Sequence, residues 1–402
     1  MKEWKTYKLE EICTGKGTYG IGASAVAYDS SKYTYLRITD INDDGTLNKG
    51  ELKSVDDEEA YKYILQKNDI VFARTGNSTG RSYFYDGTDG ELVYAGFLIK
   101  FSLDPSKVNP RIMKYYTHSQ DYYDWVKSFD TGGTRGNINA KTYGLMPIVL
   151  PPREVQDKIV EVLKSLDEKI ELNKRINDNL EQQAQALYKS WFVDFEPFRE
   201  GEFIESEFGL IPEGWRVGSL SDLTEITMGQ SPSGKSYNET GDGMLFYQGR
   251  AEFGDRYPSI RLYTTEPSRI AEQNSVLLSV RAPVGDTNIA YNKCCIGRGL
   301  ASITAKHGFN SFIFYMIKSL KDQFDLYNGE GTVFGSINRD SLNSMKVIVP
   351  TNEVINDFEK IVAPLDFKYK SLFTENLLLT QQRDYLLPKL MSGELKINEI
   401  DC

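Results

Sequence analysis

The chain contains an internal repeat, and this feature restricts its possible folds more than any other. Residues 138 to 187 reappear as residues 337 to 386, at a constant spacing of 199 positions. Matching dipeptides include Ile138-Asn139 with Ile337-Asn338, and Leu166-Asp167 with Leu365-Asp366. Because only two copies are present, the pattern indicates a duplicated domain rather than a repeat array.

The repeat extends upstream with a changing spacing. Arg74 matches Arg281 at a spacing of 207, and Trp4 matches Trp215 at 211. Loop insertions in one of two divergent copies produce such a drift. We therefore predict two similar modules, each followed by its own copy of the repeated C-terminal segment.

Each module mixes strand-like and helix-like stretches. Strand-like segments are rich in β-branched and aromatic residues and are separated by turn residues. One helix is predicted after Pro110, and its counterpart starts at Ser311, which makes the modules α+β. The predicted strands are residues 33–41, 69–75, 91–101 and 145–151 in the first module, and 244–249, 275–281, 295–304 and 345–350 in the second.

The segment after each module has heptad spacing, which is typical of a coiled coil. In the first copy the stripe contains Asn173 and Asn177, which either form a solvated stretch or lock the helix register. The residues predicted to form the helix seam are Leu166, Ile170, Leu180, Leu365, Tyr369, Leu372 and Leu379.

These patterns predict two modules joined by two long antiparallel α-helices, with an intramolecular pseudo-two-fold. A helix of about 35 residues is roughly 50 Å long, equal to about 15 base pairs of duplex. The predicted division is 1–152 for the first module, 153–195 for the first long helix, 196–214 for a linker, 215–350 for the second module, 351–395 for the second long helix and 396–402 for the tail.

The net charge of −10 is unevenly distributed. Residues 1–150 carry 19 basic and 20 acidic side chains, and residues 215–350 carry 14 and 13, so the acidity lies on the helical segments. Local basic patches that face phosphates are therefore compatible with the composition. The four cysteines and two histidines lack zinc-ligand spacing, so we expect no metal site. The chain has no apolar signal or membrane segment, which predicts a cytoplasmic protein.

Two glycine-rich segments match phosphate-binding patterns without the required context. Gly229–Ser236 fits GxxxxGK[ST], but no apolar strand precedes it and YNETGDGM cannot open a stable helix. Gly15–Gly20 fits GxGxxG but also lacks a preceding strand. Signatures of hydrolases, zinc peptidases, kinases and adenine methyltransferases are absent. We therefore predict no catalytic residues and no cofactor.

The modules do contain loops that combine guanidinium, amide and aromatic groups. Arginine can bind guanine edges through two hydrogen bonds, and asparagine or glutamine can bind adenine edges. The candidate DNA-binding residues, chosen by loop position and chemistry, are Arg74, Asn77 and Arg135 in the first module, and Gln248, Arg250, Arg281 and Arg298 in the second.

Nearly the whole chain resembles the DNA-specificity subunit of type I restriction-modification systems. The resemblance is carried by WKTYKLEEI and GWRVGSLSDL at the module starts, by AQALYKSWFVDF, by SEFGLIPEGW and by LLPKLMSGEL. It implies two target-recognition domains that read the halves of a gapped site in double-stranded DNA. It also implies helices that set the spacing and dock two methyltransferase subunits, which bind S-adenosylmethionine. An ATP-dependent restriction subunit would join them.

Two other classes of protein remain as alternatives. One is a coiled-coil scaffold whose modules bind protein. The other is a self-sufficient enzyme, either a nuclease or one that uses a nucleotide through Lys235 in the Gly229–Ser236 segment. One feature of the chain departs from the family pattern. The helix segments LDEKIELNKRIN and LDFKYKSLFTEN differ strongly between the two copies, which argues against equal docking of two methyltransferase subunits.

Overall fold

The computed structural model describes residues 4–129, 136–328 and 335–396. The chain divides into two compact units, and each unit takes one part of both long helices. The first unit comprises Met1–Leu172 with Glu375–Cys402, and the second comprises Asn173–Thr374.

The first unit contains three small sheets. Strand β1 (Lys5–Lys8) pairs antiparallel with β10 (Pro147–Leu150). A second sheet has the order β2 (Thr18–Tyr19), β9 (Leu98–Ser102), β6 (Asp69–Ala73), β7 (Ser82–Tyr85). A third has the order β3 (Ala25–Ala27), β5 (Lys53–Val55), β4 (Tyr33–Leu36), β8 (Leu92–Tyr94), in which β4 and β8 are parallel.

The second unit repeats this strand order and adds one strand at the edge of its last sheet. Strand β13 (Arg216–Ser219) pairs with β23 (Lys346–Val349). The next sheet has the order β14 (Thr224–Met228), β22 (Leu300–Ala305), β19 (Val276–Ser279), β20 (Thr287–Ile289). The last has β15 (Tyr237–Asn238), β17 (Leu262–Thr264), β16 (Met244–Tyr247), β21 (Cys294–Ile296), β18 (Ile270–Ala271), with β16 and β21 parallel. A hairpin of β11 (Phe203–Ser206) and β12 (Gly209–Pro212) precedes them. The predicted duplication and α+β class are thus confirmed.

Short helices occupy equivalent places in the two units. The first unit has α1 (Ile112–Tyr116), α2 (Gln120–Lys127) and α3 (Ala140–Gly144). The second has α5 (Leu220–Leu223), α6 (Asn310–Ser319), α7 (Lys321–Asp325) and α8 (Arg339–Asn343). The repeated Ile-Asn dipeptide has a local role in both: Ile138 and Ile337 are buried, while Asn139 and Asn338 cap α3 and α8 by accepting the Thr142 and Ser341 N–H groups at 2.9 and 2.8 Å.

The single helix expected after Pro110 is wrong, because two helices are present. The backbone is extended at Ser119, and the Ser119 hydroxyl accepts the Tyr122 N–H at 3.4 Å as the cap of α2. The counterpart after Ser311 is likewise divided, at Leu320 between α6 and α7. Serine competes for backbone hydrogen bonds and so favours a cap over a helix interior.

The long helices are α4 (Arg153–Phe192) of 40 residues and α9 (Asn352–Ser392) of 41 residues, and both lie within the predicted ranges 153–195 and 351–395. Within the first unit, Ile159 and Leu163 of α4 share a core with Leu386 and Leu390 of α9. Within the second unit, Tyr188 and Phe192 of α4 pack on Phe358 of α9. In the first unit Asp167 and Ile170 of α4 contact Arg383 and Asn376 of α9, so the packed segments run antiparallel. In the second unit one arginine contacts both Glu181 and Asp366, whereas Tyr188 packs on Phe358, which gives the same direction.

Candidate nucleic-acid interface

The second unit brings the turns after β16 and β19 next to the turn between β21 and β22. The Gly297 N–H donates to Tyr247 O at 2.8 Å, and the Val280 N–H donates to Gly299 O at 2.9 Å. These turns carry Gln248, Arg281 and Arg298, whose side chains are all exposed. Three of the candidate residues therefore lie on adjacent turns of one surface.

Glycines allow this close approach. A Cβ atom at Gly297 would lie 2.7 Å from Gln248 O, and one at Gly299 would lie 3.1 Å from the same oxygen. Both distances are shorter than ordinary carbon–oxygen contacts, so a side chain at Gly297 would push the two turns apart. The GRG sequence around Arg298 thus combines an exposed guanidinium with a tightly packed backbone.

The arginines of this surface differ in their partners. Arg250 forms a salt bridge with Asp286, and the Asp286 N–H donates to the Ser279 hydroxyl at 2.9 Å. Arg281 and Arg298 have no side-chain partner within residues 4–129, 136–328 and 335–396. Their donors are therefore available for an anion or a base edge. We name the exposed Gln248, Arg250, Arg281 and Arg298 the second-unit reading surface.

In the first unit, Arg74 follows β6, and its backbone is hydrogen-bonded to two neighbouring segments. Its N–H donates to Phe97 O at 3.1 Å, and its carbonyl accepts the Ile138 N–H at 2.9 Å. The guanidinium carbon lies 5.1 Å from the centre of the Tyr19 ring. Asn77 is exposed in the short turn Gly76–Ser78. Arg135 lies outside the residues that the structure describes.

Two exposed aromatic residues beside Arg74 were missed by the sequence analysis. Tyr19 is 42% exposed and Phe97 is 58% exposed, although both are large apolar side chains. They come from β2 and from the turn before β9, so only the fold brings them to Arg74. The one available signal was Gly96-Phe97, an aromatic residue directly after a turn glycine.

The hydrogen-bond register corrects one equivalence drawn from the sequence. Ala73 lies opposite Leu98, and Ser279 lies opposite Leu300, at the same point of the two sheets. Arg74 therefore corresponds to Val280, and Arg281 corresponds to Thr75. The spacing here is 206 rather than 207, so the two arginines have different neighbours in their units.

The Gly229–Ser236 segment does not form a phosphate loop. Contrary to the expectation, a strand, β14, ends directly before Gly229, but only a single 3-10 turn, Gly234–Ser236, follows and not an α-helix. The N–H groups of Gly229 and Gln230 donate to Leu300 O and Ile296 O, at 2.9 and 3.0 Å, so they do not face a ligand. The hydroxyl of Ser231 instead accepts the Arg298 N–H at 3.3 Å, which places this segment beside the second-unit reading surface.

Burial makes two of the cysteines poor nucleophiles and metal ligands. It raises the pKa of the Cys13 and Cys294 thiols to about 12. No group of histidine, cysteine, aspartate and glutamate suited to a metal ion occurs within the described part of the chain. Across the same residues, no helix is both long enough and apolar enough to cross a bilayer.

The predicted helix-seam residues form a continuous buried or half-buried stripe on each long helix. Ile170, Tyr369 and Leu372 are buried, and Leu166, Leu180, Leu365 and Leu379 are half-buried. Asn173 and Asn177 are 0% and 5% exposed, so the solvated alternative for this stretch is wrong. In the first unit the Asn376 amide donates to Ile170 O at 3.3 Å, which joins α9 to α4 through a polar contact.

Comparison with known families gives a match over most of the chain. The model of the type I restriction modification DNA specificity domain matches residues 1–182 and 212–366. These two segments correspond to the two copies of the duplicated topology.

Individual relatives are similar over nearly their full length. The putative type I restriction enzyme MjaX specificity subunit of Methanocaldococcus jannaschii is 31% identical over 92% of this chain and 88% of its own. The HindI specificity subunit of Haemophilus influenzae is 26% identical over 98% of this chain and 100% of its own. A solved S subunit from M. genitalium has a TM-score of 0.61 with 15% identity, covering 97% of this chain and 96% of that one, which is a likeness of fold.

Proposed function

The chain belongs to the type I restriction-modification DNA specificity family, and from this premise we propose that it reads a bipartite, gapped site in double-stranded DNA. In this proposal each module recognises one half-site. The chain has no chemistry of its own and recruits methyltransferase and restriction subunits. We also propose a cytoplasmic location, in which the protein has access to DNA.

The observation that carries the proposal is the shared strand order of the two units, combined with different surface residues at equivalent positions. Each unit has a β-strand, β6 or β19, that ends in a turn next to the segment before α3 or α8. In the first unit this place holds Arg74, Thr75 and Phe97. In the second unit Val280, Arg281 and Gly299 stand there. Two copies of one frame with different side chains suit the reading of two different half-sites.

At the level of residues, we propose base contacts by Arg281, Arg298 and Gln248 in the second module, and by Arg74 and Asn77 in the first. Arg250 is proposed as a base contact that must first leave Asp286. For Arg135 the proposal depends on its sequence position alone. An arginine that binds guanine through two hydrogen bonds discriminates against other bases by about 1 to 3 kcal/mol.

The long helices are proposed to be the spacer between the half-sites. We assign 1–152 and 215–350 to the two target-recognition domains, 153–195 and 351–395 to the helical spacer, 196–214 to the linker and 396–402 to the tail. The stripe that contains Leu166, Ile170, Leu180, Leu365, Tyr369, Leu372 and Leu379 would keep the helices in register across the whole protein. Its pseudo-two-fold would match a divided DNA site.

The proposed partners are two methyltransferase subunits and a restriction subunit that also translocates DNA. S-adenosylmethionine and ATP would be bound by those partners and not by this chain. The outer faces of the long helices support unequal docking, since Phe367 of α9 is 75% exposed where α4 has Glu168.

A methylation assay on randomised DNA tests the proposal. The chain is purified with its methyltransferase partner and incubated with duplexes that carry two random half-sites separated by gaps of different length. We expect methylation of one pair of half-sites at one gap length. Methylation without sequence preference would overturn the proposal and would favour the protein-binding scaffold.

The nucleotide-enzyme alternative has its own test. If Lys235 served a phosphate site, ATP binding by the isolated chain would be measurable and would disappear in Lys235→Ala. We expect no ATP binding by either protein, because the N–H groups of Gly229 and Gln230 are already used in backbone hydrogen bonds.

A further inference from the structure

Arg256 is a buried arginine that joins a loop of the second module to both long helices. Its side chain is 2% exposed. Nη1 donates to Glu181 Oε2 of α4 at 2.8 Å, and Nη2 lies 2.6 Å from Asp366 Oδ1 of α9. Nη1 also donates to the Tyr315 hydroxyl at 3.2 Å. The guanidinium carbon stacks 4.6 Å from the Phe314 ring and 4.7 Å from the Tyr369 ring.

Neighbouring opposite charges keep the side chains of Glu181 and Arg256 ionised. Burial alone would raise the pKa of Glu181, but the positive charges of Arg256 and Lys318 outweigh it and keep that pKa below its ordinary value. Burial would lower the pKa of Arg256, and the nearby Asp366 and Glu181 raise it instead. Glu181 and Arg256 are therefore held in their charged forms inside the second unit.

A series of backbone and buried polar contacts leads from Arg256 to the reading surface. Gly254 and Asn288 exchange two hydrogen bonds, at 3.1 and 2.9 Å, and Asn288 is 1% exposed. Glu252 is 2% exposed, and its carboxylate accepts the Gly249 N–H at 3.2 Å and Arg261 Nη2 at 2.5 Å. Gly249 lies between Gln248 and Arg250. The turn that carries two candidate base contacts is thus tied to the residues before Arg256.

The first unit has a different arrangement at the corresponding place. Asp167, the counterpart of Asp366, accepts Lys114 Nζ at 2.7 Å, the Tyr115 hydroxyl at 3.1 Å and Arg383 Nη1 at 3.3 Å. Lys114 lies on α1, and Arg383 lies on α9. Within the described residues of the first unit, no arginine from the turn after β4 contacts Asp167. Among the described residues, this link between the Gln248–Arg250 turn and the two long helices is therefore found in the second unit alone.

Stability alone does not explain why charged residues occupy this buried cluster. A buried ion pair gains little over well-packed apolar residues, because removing charges from water is costly. However, the two short bonds of Arg256, one to Glu181 of α4 and one to Asp366 of α9, can form together in only one geometry. A loop residue that must satisfy both carboxylates can sit in only one position relative to α4 and α9.

Building on the proposed function, we propose that Arg256 is a positioning residue that fixes the Gln248–Arg250 turn relative to the paired helix segments and thereby contributes to the gap length that the protein accepts. Arg256 does not touch DNA in this proposal. Its loss should loosen the spacing requirement and leave the base preference of each half-site unchanged.

The test uses the full chain with its methyltransferase partner and the DNA site found for the wild type. Duplexes carry the native gap, or a gap shorter or longer by one base pair, and methyl transfer is measured as kcat/KM. For Arg256→Met we expect the preference for the native gap to fall about tenfold or more, as expected when a buried charge pair loses one member. Arg256→Lys keeps the charge but cannot reach both carboxylates in the same way, so we expect an intermediate loss.

Lys318→Met is the matched control. Lys318 Nζ contacts the same Glu181 carboxylate at 2.6 Å, but Lys318 lies on α6 and not on the reading loop. We expect an unchanged gap preference in this variant. If Arg256→Met does not fold, which thermal melting will show, Arg256→Lys decides the question.

The outcomes separate this inference from the proposed function. A wild-type complex without preference for any divided site overturns the proposed function and this inference with it. A specific wild type whose Arg256 variants keep the same gap preference, even with a lower melting temperature, overturns the inference alone. That second result would mean that Arg256 only stabilises the second unit.

Discussion

The guanidinium of Arg74 is stacked on the ring of Tyr19, with 5.1 Å between the guanidinium carbon and the ring centre. The Tyr19 hydroxyl in turn accepts the Ala140 N–H at 3.1 Å, at the start of α3. A long, flexible side chain is therefore held in one orientation by a residue that the sequence places 55 positions away. Such stacking lowers the entropy that Arg74 would lose on contacting DNA.

The first prediction follows from this stacking. Arg74→Ala should weaken specific DNA binding by about 1 to 3 kcal/mol and relax the preference at one base position of the first half-site. Tyr19→Ala should relax the same position, and the two losses should not add, because both act on one contact. Tyr19→Phe keeps the ring and serves as the control. Binding titrations on single-base variants of the site measure this; an equal loss on all sequences would mark a phosphate contact.

The second prediction concerns the salt bridge between Arg250 and Asp286. Asp286→Asn removes a negative charge from the second-unit reading surface and releases Arg250. We expect tighter binding to random DNA, with a steeper dependence on salt, and a smaller ratio of specific to random affinity. Glu239→Gln, an exposed acidic residue of the β15–β16 turn, controls for the change of net charge. Unchanged random binding in Asp286→Asn would contradict a DNA contact at this place.

The third prediction tests the continuity of α9. Leu372 is 4% exposed, so Leu372→Pro removes a helix hydrogen bond and an apolar contact, at a cost of about 3 kcal/mol or more. We expect reduced helical circular dichroism and no methylation at the native gap. The helix already runs through the exposed Pro364, and Pro364→Ala should keep or raise the melting temperature. Full activity of Leu372→Pro would mean that α9 does not set the spacing.

The fourth prediction is a pH dependence of the first unit. Burial lowers the pKa of His118 below its ordinary value, and a Cβ atom at Gly45 would lie only 2.8 Å from His118 Nε2. The unfolded chain gains a proton below about pH 6.5, whereas the folded chain resists it. Stability from this group is therefore present above about pH 6.5 and is lost as the pH falls through the lowered folded pKa.

Urea unfolding at several pH values measures this dependence. His118→Gln should reduce the loss of stability between pH 7.5 and pH 5. An identical slope in wild type and His118→Gln would show that other groups cause it.

Several features of the fold were readable from the sequence because they are local or repeated. Ile138-Asn139 and Ile337-Asn338 marked equivalent positions of the two copies, and the structure shows a buried residue followed by a helix cap at both. The heptad residues marked the buried stripe of each long helix. Repetition made even weak patterns informative, since the same residues recurred at one spacing.

Other features depend on contacts between distant residues. Glu181, Arg256 and Asp366 meet only in the folded second unit, and nothing at their positions in the sequence marks them as a cluster. Tyr19 and Phe97 reach Arg74 from two other strands. The helix break at Ser119 depends on a single capping residue. The residue spacing between equivalent positions of the two modules is 206 rather than 207 here, and only the strand register shows this. Loop length hides such a shift in the sequence.

Sequencing of DNA methylation in cells that express this chain with its methyltransferase partner tests the two-module mechanism most directly. We expect one methylated motif made of two short half-sites with a gap of fixed length. We also expect exchange of residues 215–350 for those of a relative to change only one half-site. A contiguous motif, or a change in both half-sites after that exchange, would contradict independent reading by two modules.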